Sequence, residues 1–230
     1  MAHIRAPIAE RKDAIMTNHT HITVILDRTG SMESIRDDTI GGFNAFLASQ
    51  QAEEGKATLT LVQFDSQDPY EVIHHFSPIE LVPALTRETY VPRASTPLLD
   101  AMGRGINDLE ASLAKLKPTQ RPSKVIMAIV TDGQENASRE FTREQVKRMI
   151  AAKTADDWQF VFLSADLDAI GDAHSVGFDS KQTLAFAKTA NGNAAAWASL
   201  RERTSQFRKG EKSRLEFEDE DRKHPDDPAK

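Results

Sequence analysis

Residues 21–27 (HITVILD) are an almost unbroken apolar run closing on Asp27, and the chain continues Arg28-Thr29-Gly30-Ser31. Short runs of this kind, rich in β-branched residues, suit strands covered on both faces, as in a parallel sheet. Two more stretches share the character: 124–132 (KVIMAIVTD), which also ends in Asp, and 158–163 (WQFVFL). Residues 57–65 (ATLTLVQFD) and 69–76 (PYEVIHHF) are strand-like too. Only a few residues separate this last pair, which predicts an antiparallel hairpin at a sheet edge.

Helix-period segments lie between the strands. In 33–49, Ile35, Ile40, Phe43, Phe46 and Leu47 form an amphipathic stripe. In 97–116, Leu98, Leu99, Met102, Ile106, Leu109, Leu113 and Leu116 do the same. Pro97 suits the first turn there, where its missing N–H would have no partner. Thr142 with Glu144-Gln145 resembles a capping box ahead of Val146, Met149 and Ile150 in 142–155. A further helix is expected over 192–207, around Trp197, Leu200 and Phe207. Strands alternating with helices predict an α/β chain. Its sheet should be doubly wound, Rossmann-like and mostly parallel, with one antiparallel edge strand and helices on both faces.

Composition bounds the function. The 230 residues are 39% hydrophobic and 28% charged, as in a globular chain. No apolar run approaches the roughly 20 residues of a membrane helix. The absence of Cys excludes disulfide scaffolds, thiolate metal sites and thiol catalysis. A net charge of −6 without a dense basic patch argues against nucleic-acid binding through phosphates. Residues 1–20 carry no apolar secretory h-region, so a cytoplasmic location is expected. Residues 1–19 read as a flexible arm, with Met16 a possible alternative start, and 20–207 as the single domain. In residues 208–230, 15 of 23 side chains are charged, which predicts a solvated, disordered tail. No internal repeat or Gly/Ser linker calls for a second domain.

In doubly wound sheets, sites lie beyond the carboxyl ends of the strands. Three segments qualify. The first holds Asp27, Thr29 and Ser31 at alternate positions, so their oxygens can leave one face of an extended segment. The second is Ser95-Thr96-Pro97-Leu98-Leu99-Asp100-Ala101, and the third Thr131-Asp132-Gly133-Gln134-Glu135-Asn136. Two carboxylates and three hydroxyls make an all-oxygen set, suited to Mg²⁺, Mn²⁺ or Ca²⁺ rather than zinc or copper. The plainer alternative is that Thr29, Ser31 and Thr96 only cap helices.

The D-x-T-x-S of Asp27 to Ser31, the T-P-L-x-D-A from Thr96 and the T-D-G from Thr131 resemble the metal-ion-dependent adhesion site (MIDAS) of von Willebrand factor A domains. The likeness extends over about residues 20–210 in its order of elements. It implies that Asp27, Thr29, Ser31, Thr96 and Asp132 are the metal residues. The family pattern carries Ser where Thr29 stands; Thr keeps the hydroxyl and adds a methyl. The resemblance further implies a cytoplasmic, bacterial or phage type of non-enzymatic protein-binding module, with one metal position left open for an Asp or Glu of the partner.

A metal-dependent hydrolase or phosphotransferase using Asp27 and Glu135 is the enzymatic alternative. Haloacid-dehalogenase-like enzymes, however, place a second carboxylate where this chain has Thr29. A third alternative is a structural subunit that keeps the loops without a working ion. Adjacent His74 and His75 point to opposite strand faces, and the histidines show no zinc spacing. Gly103-Arg104-Gly105 falls inside a helix, and no phosphate-binding G-x-x-x-x-G-K occurs. Asp166 and Asp168 follow the third apolar run and are expected to cap a helix over 167–174, with a place on a partner-facing rim as the alternative.

Overall fold

The computed structural model describes residues 19–223. Its strands are β1 (His19–Asp27), β2 (Lys56–Phe64), β3 (Glu71–Pro78), β4 (Lys124–Thr131), β5 (Gln159–Ser164) and β6 (Thr183–Ala185). They form one sheet in the order β3-β2-β1-β4-β5-β6, and every pairing is parallel except β2 with β3. The expected antiparallel edge is therefore present. All nine residues of β1 are buried, which is why its sequence shows no polar alternation. The three-residue β6 was not foreseen, because so short a segment carries no periodicity. Most of the expected N-terminal arm, Met16 included, lies outside the described residues, and His19 already belongs to β1.

The helices are α1 (Arg36–Ala52), α2 (Leu98–Lys115), α3 (Arg143–Ala155), α4 (Leu167–Ser175) and α5 (Ala190–Lys209). On one face of the sheet, Ile22, Val24 and Leu26 meet Phe43 and Phe46 of α1 and Trp197 and Leu200 of α5. On the other, Ile25 and Ile129 meet Met102 and Ile106 of α2, Val146 of α3 and Ala169 of α4. Alternate residues of β1 thus feed two cores, the three-layer arrangement expected of a doubly wound sheet. The start of α3 is the predicted capping box: Thr142 accepts from the Gln145 N–H, and Gln145 accepts from the Thr142 N–H at 2.8 Å.

The segment after α5 corrects the expectation of a solvated tail over its described part. Gly210, in the left-handed region at φ 79°, ends α5. The chain then turns back along the sheet edge. Leu215 and Phe217 are only 1% and 2% exposed and belong to the α1/α5 core. The Phe217 N–H donates to the Lys181 carbonyl at 2.7 Å. Buried Arg203 of α5 is paired with Glu218 at 3.4 Å, Asp221 at 2.8 Å and Glu220. Those acidic residues are thus counter-ions of a buried guanidinium.

At the hairpin edge, His74 pairs with Leu61 in the ladder, while His75 lies 3.1 Å from the Ser112 hydroxyl. The two share no site. Buried His21 stacks on Phe76 at 3.8 Å between ring centres, and burial pushes it down to about 3, so the ring is neutral.

The α1/α5 contact depends on one of two adjacent glycines. A Cβ at Gly42 would lie 2.1 Å from the Trp197 ring, which is itself held by Phe43 and Phe46, each 6.0 Å between ring centres. A Cβ at exposed Gly41 would meet nothing within 4 Å. Gly42→Ala should therefore cost about 1–3 kcal/mol through overpacking. Gly41→Ala should add about 0.5–1 kcal/mol through helix propensity. Urea midpoints moving the same way in both variants would contradict this packing.

Candidate metal centre

Chain order places the centre. From β1 the sheet proceeds to β2 on one side, while β4 lies on the other. The crevice beyond the carboxyl ends of β1 and β4 is therefore the topological switch point, where ligands bind in such sheets. Asp27 is the last residue of β1, and Asp132 follows directly on β4.

The first loop is held by its own polar groups. Asp27 is fully buried, and its Oδ1 accepts the Thr29 N–H at 2.6 Å. Its Oδ2 accepts the Thr131 hydroxyl at 2.5 Å. Each carboxylate oxygen keeps a second lone pair for a cation or its water. Tyr90 donates its hydroxyl to the Asp27 carbonyl at 2.6 Å, fixing the strand end. Thr29 Oγ1 lies 3.1 Å from Ser31 Oγ, and Ser31 donates to Asp132 Oδ1 at 2.6 Å. Four of the five expected residues, Asp27, Thr29, Ser31 and Asp132, thus form one linked chain.

Thr96 joins through the second loop. Its N–H donates to Asn136 Oδ1 at 2.9 Å, while the Asn136 N–H donates to the Thr96 carbonyl at 3.1 Å. This reciprocal pair fastens the second loop to the third. A Cβ built on Gly133 would lie 3.4 Å from Ser31 Oγ and 3.6 Å from Thr96 Oγ1. Glycine thus leaves open the space between the two hydroxyls. Ala94, at φ 58°, directs its carbonyl to the Gly30 N–H at 3.0 Å and closes the same corner.

These residues fit a hard divalent cation. Asp132 is 5% exposed, and its Oδ2 receives no hydrogen bond. A buried carboxylate oxygen without a donor is costly unless a positive charge faces it. Among the described residues, no three His, Asp or Glu side chains cluster as a metal site, so a cation here would take hydroxyls as its remaining protein donors. Burial, the largest influence, pushes Asp27 up to about 7; the Thr131 and Thr29 hydrogen bonds oppose this, and the charge of Asp132 adds to it. Two acidic groups with little solvent call for a cation between them. One protein cation already approaches: Lys188 Nζ lies 2.6 Å from Asp132 Oδ2, an ionic contact without hydrogen-bond alignment.

Other expected residues are placed elsewhere. Glu135, named for the enzymatic alternative, is tied to the loop around it. Its Oε2 accepts the Leu99 N–H at 2.9 Å and the Ser138 hydroxyl at 2.6 Å. Its Oε1 accepts the Ala137 and Ser138 N–H groups at 3.0 and 2.8 Å. It thereby caps α2 with its lone pairs engaged. Asp100 ties the same loop by accepting the N–H groups of Arg139, Glu140 and Phe141. Asp166 caps α4 as expected, accepting from the Asp168 and Ala169 N–H groups at 2.7 and 3.1 Å. Gln134 approaches both Asp166 and Asp168, at 3.3 and 3.2 Å. Thr131, Asn136 and Lys188 were not singled out from sequence. The first two are the ends of the Thr131 to Asn136 segment, but Lys188 has no local signal.

Strand order, the two cores and the loop constellation together define the fold of a von Willebrand factor A-type domain. Proximal thread matrix protein 1 from the mussel byssus, with a zinc-occupied MIDAS motif, matches at TM-score 0.55 and 10% identity, over 81% of this chain and 46% of its own. The von Willebrand factor type A protein from Catenulispora acidiphila matches at 0.53 and 11%, over 82% and 42%. The pilus adhesin SpaC from Lactobacillus rhamnosus GG matches at 0.58 and 13%, over 81% and 30%. The chain spans less than half the length of each of these proteins. No protein-family model and no curated protein matches the sequence.

Proposed function

We propose that this chain is a divalent-cation-dependent protein-binding module, in which Asp27, Thr29, Ser31, Thr96 and Asp132 hold Mg²⁺, with Mn²⁺ or Ca²⁺ as substitutes. The observation that carries the reading is the convergence of buried Asp27 and Asp132, linked through Thr29 and Ser31, beside hydroxyls that Gly133 leaves uncovered. When bound, the cation supplies an electrophilic position that a carboxylate can complete. Asp27 and Asp132 provide the negative charge, while Thr29, Ser31 and Thr96 orient without neutralising. The partner is then a protein presenting Asp or Glu at its surface. Engagement of every Glu135 lone pair favours binding over hydrolysis, because no free base remains at that position. Among the described residues, no helix is long and apolar enough to cross a membrane, and the proposed setting is the cytoplasm.

The test is calorimetric titration of Mg²⁺ and Mn²⁺ into the full chain, followed by partner capture in Mg²⁺ against EDTA. Thr96→Ala should weaken metal binding by roughly tenfold, about 1.4 kcal/mol, while the fold survives. Thr29→Ser should behave like the parent, since the hydroxyl is retained. Capture that persists in EDTA would sink the metal-bridged reading. Phosphoester turnover abolished by Asp27→Ala would replace it with the enzymatic one.

A further inference from the structure

Lys188 stands between β6 and α5, far in sequence from the loops it touches. The backbone that presents it is fixed from both sides. Ahead of it, the Phe186 N–H donates to the Ser164 carbonyl at 3.0 Å. Behind it, Thr189 caps α5 by accepting the Gly192 N–H at 3.1 Å. A Cβ at Gly192 would fall 2.2 Å from the Ala187 carbonyl oxygen, so this segment lies flush on the first turn of α5. The placement of Lys188 therefore follows from main-chain packing and not from its own ion pair.

From that position the ammonium reaches two metal loops at once. Nζ lies 2.6 Å from Asp132 Oδ2 and donates to the Ser31 carbonyl at 3.0 Å. Oδ2 is the one oxygen of Asp132 that no hydrogen bond claims, since Oδ1 is taken by Ser31. A single positive charge thus faces the oxygen that a divalent cation would need. The Lys188 side chain is 38% exposed and the Asp132 side chain 0%, so the lysine can swing into solvent while the carboxylate cannot.

Resting on the function proposed above, we propose that Lys188 is a tethered competitor for the metal centre. Its ammonium and a divalent cation draw on the same Asp132 oxygen, so Lys188 sets the affinity of the site. Metal binding must displace the lysine or share the carboxylate with it, and either way the apparent affinity falls. A centre weakened in this way keeps the cation firmly only once a partner carboxylate adds its own charge.

The experiment titrates Mn²⁺ alone into the full chain and into Lys188→Met, Lys188→Arg and Asp27→Ala, with thermal midpoints taken in EDTA and in Mn²⁺. Lys188→Met keeps the aliphatic stem and removes the charge, so Mn²⁺ should bind about tenfold more tightly. Lys188→Arg should stay close to the parent. In EDTA, Lys188→Met should melt lower than the parent by a few degrees, because Asp132 loses its counter-ion; in saturating Mn²⁺ the gap should close, because the lysine no longer holds the Asp132 oxygen in either protein. This metal-dependent closing of the gap separates competition from simple destabilisation, which would persist in Mn²⁺. If the parent binds Mn²⁺, Asp27→Ala does not, and Lys188→Met binds no more tightly, the competitor is rejected while the metal centre stands. If neither the parent nor Lys188→Met binds Mn²⁺, both readings fall. Binding by Lys188→Met alone would mean that the lysine masks the site completely, and would support the proposal.

Discussion

A chain ended at Gly210 should melt at least about 10 °C below the full-length protein, and its partial unfolding at 37 °C is expected. Removing residues 211–230 takes Leu215 and Phe217 out of the α1/α5 core. Each such side chain contributes roughly 1.5–3 kcal/mol by burial. The loss also strips Glu218, Glu220 and Asp221 from Arg203, whose side chain is 4% exposed. Glu218 and Glu220 are 43% and 72% exposed, and the cut also admits water to the guanidinium. These pairs therefore add about 0–1 kcal/mol each, and the two apolar side chains carry most of the loss. The combined loss reaches the lower end of the typical 5–15 kcal/mol of a whole domain. For about 200 residues, 1 kcal/mol moves the midpoint roughly 2–4 °C, so a shift above 10 °C follows. Phe217→Ala in the full chain isolates the apolar share and should cost about 3–5 kcal/mol. A truncated chain melting within two degrees of the parent would show that this segment does not hold the domain together.

The same segment shows where composition misleads. Averaged over residues 208–230, charge swamps two apolar side chains, and the stretch reads as solvated. Read residue by residue, Leu215-Glu216-Phe217-Glu218 alternates apolar and acidic with a period of two. That pattern lays one face of an extended segment on a core. The acidic run that follows needs a partner to make sense, and Arg203 lies on a helix whose burial no local pattern reveals. The helix expected over 192–207 falls two residues short of α5 at each end. Thr189 and Gly210 are the natural cap residues of α5, one accepting at its first turn and the other in the left-handed region.

At the centre, Asp27, Thr29 and Ser31 were legible because alternation along an extended loop is a local property. Asp132 was legible because the run before it is a fully buried strand. Thr96 was named through the resemblance, and a Cβ built on Gly133 would lie 3.6 Å from its Oγ1. The place of Glu135 was not legible, because its capping contact with the Leu99 N–H spans 36 positions. Lys188 was invisible for the same reason. Its contact with Ser31 spans 157 positions and depends on β6, which leaves no periodic trace in the sequence.

The second large effect is expected from Asp27→Asn, and it should reverse sign with the metal. In EDTA at pH 8 this variant should be more stable than the parent, by on the order of 2–4 kcal/mol. Asp27 is fully buried, and its raised folded-state value means that ionising it costs more in the folded chain than in the unfolded one. Its destabilising effect therefore begins as pH rises past the ordinary value of 3.8 and is complete once pH exceeds about 7. Asparagine carries no such charge, so its advantage should shrink towards pH 5. The shape is preserved. Oδ1 can still accept the Thr29 N–H, and Nδ2 can donate to Thr131 Oγ1, whose own hydrogen then turns to the Gly133 carbonyl at 3.1 Å. In saturating Mg²⁺ the parent should gain stability and the variant should not, because Asp132 alone supplies too little charge to hold the ion. Midpoints measured at pH 5 and 8, each in EDTA and in Mg²⁺, separate the contributions. If Asp27→Asn keeps the full Mg²⁺ shift, Asp27 is not a metal residue. If it melts below the parent in EDTA at pH 8, the buried carboxylate is satisfied by its hydrogen bonds alone, and the electrostatic case for a cation at this switch point loses its basis.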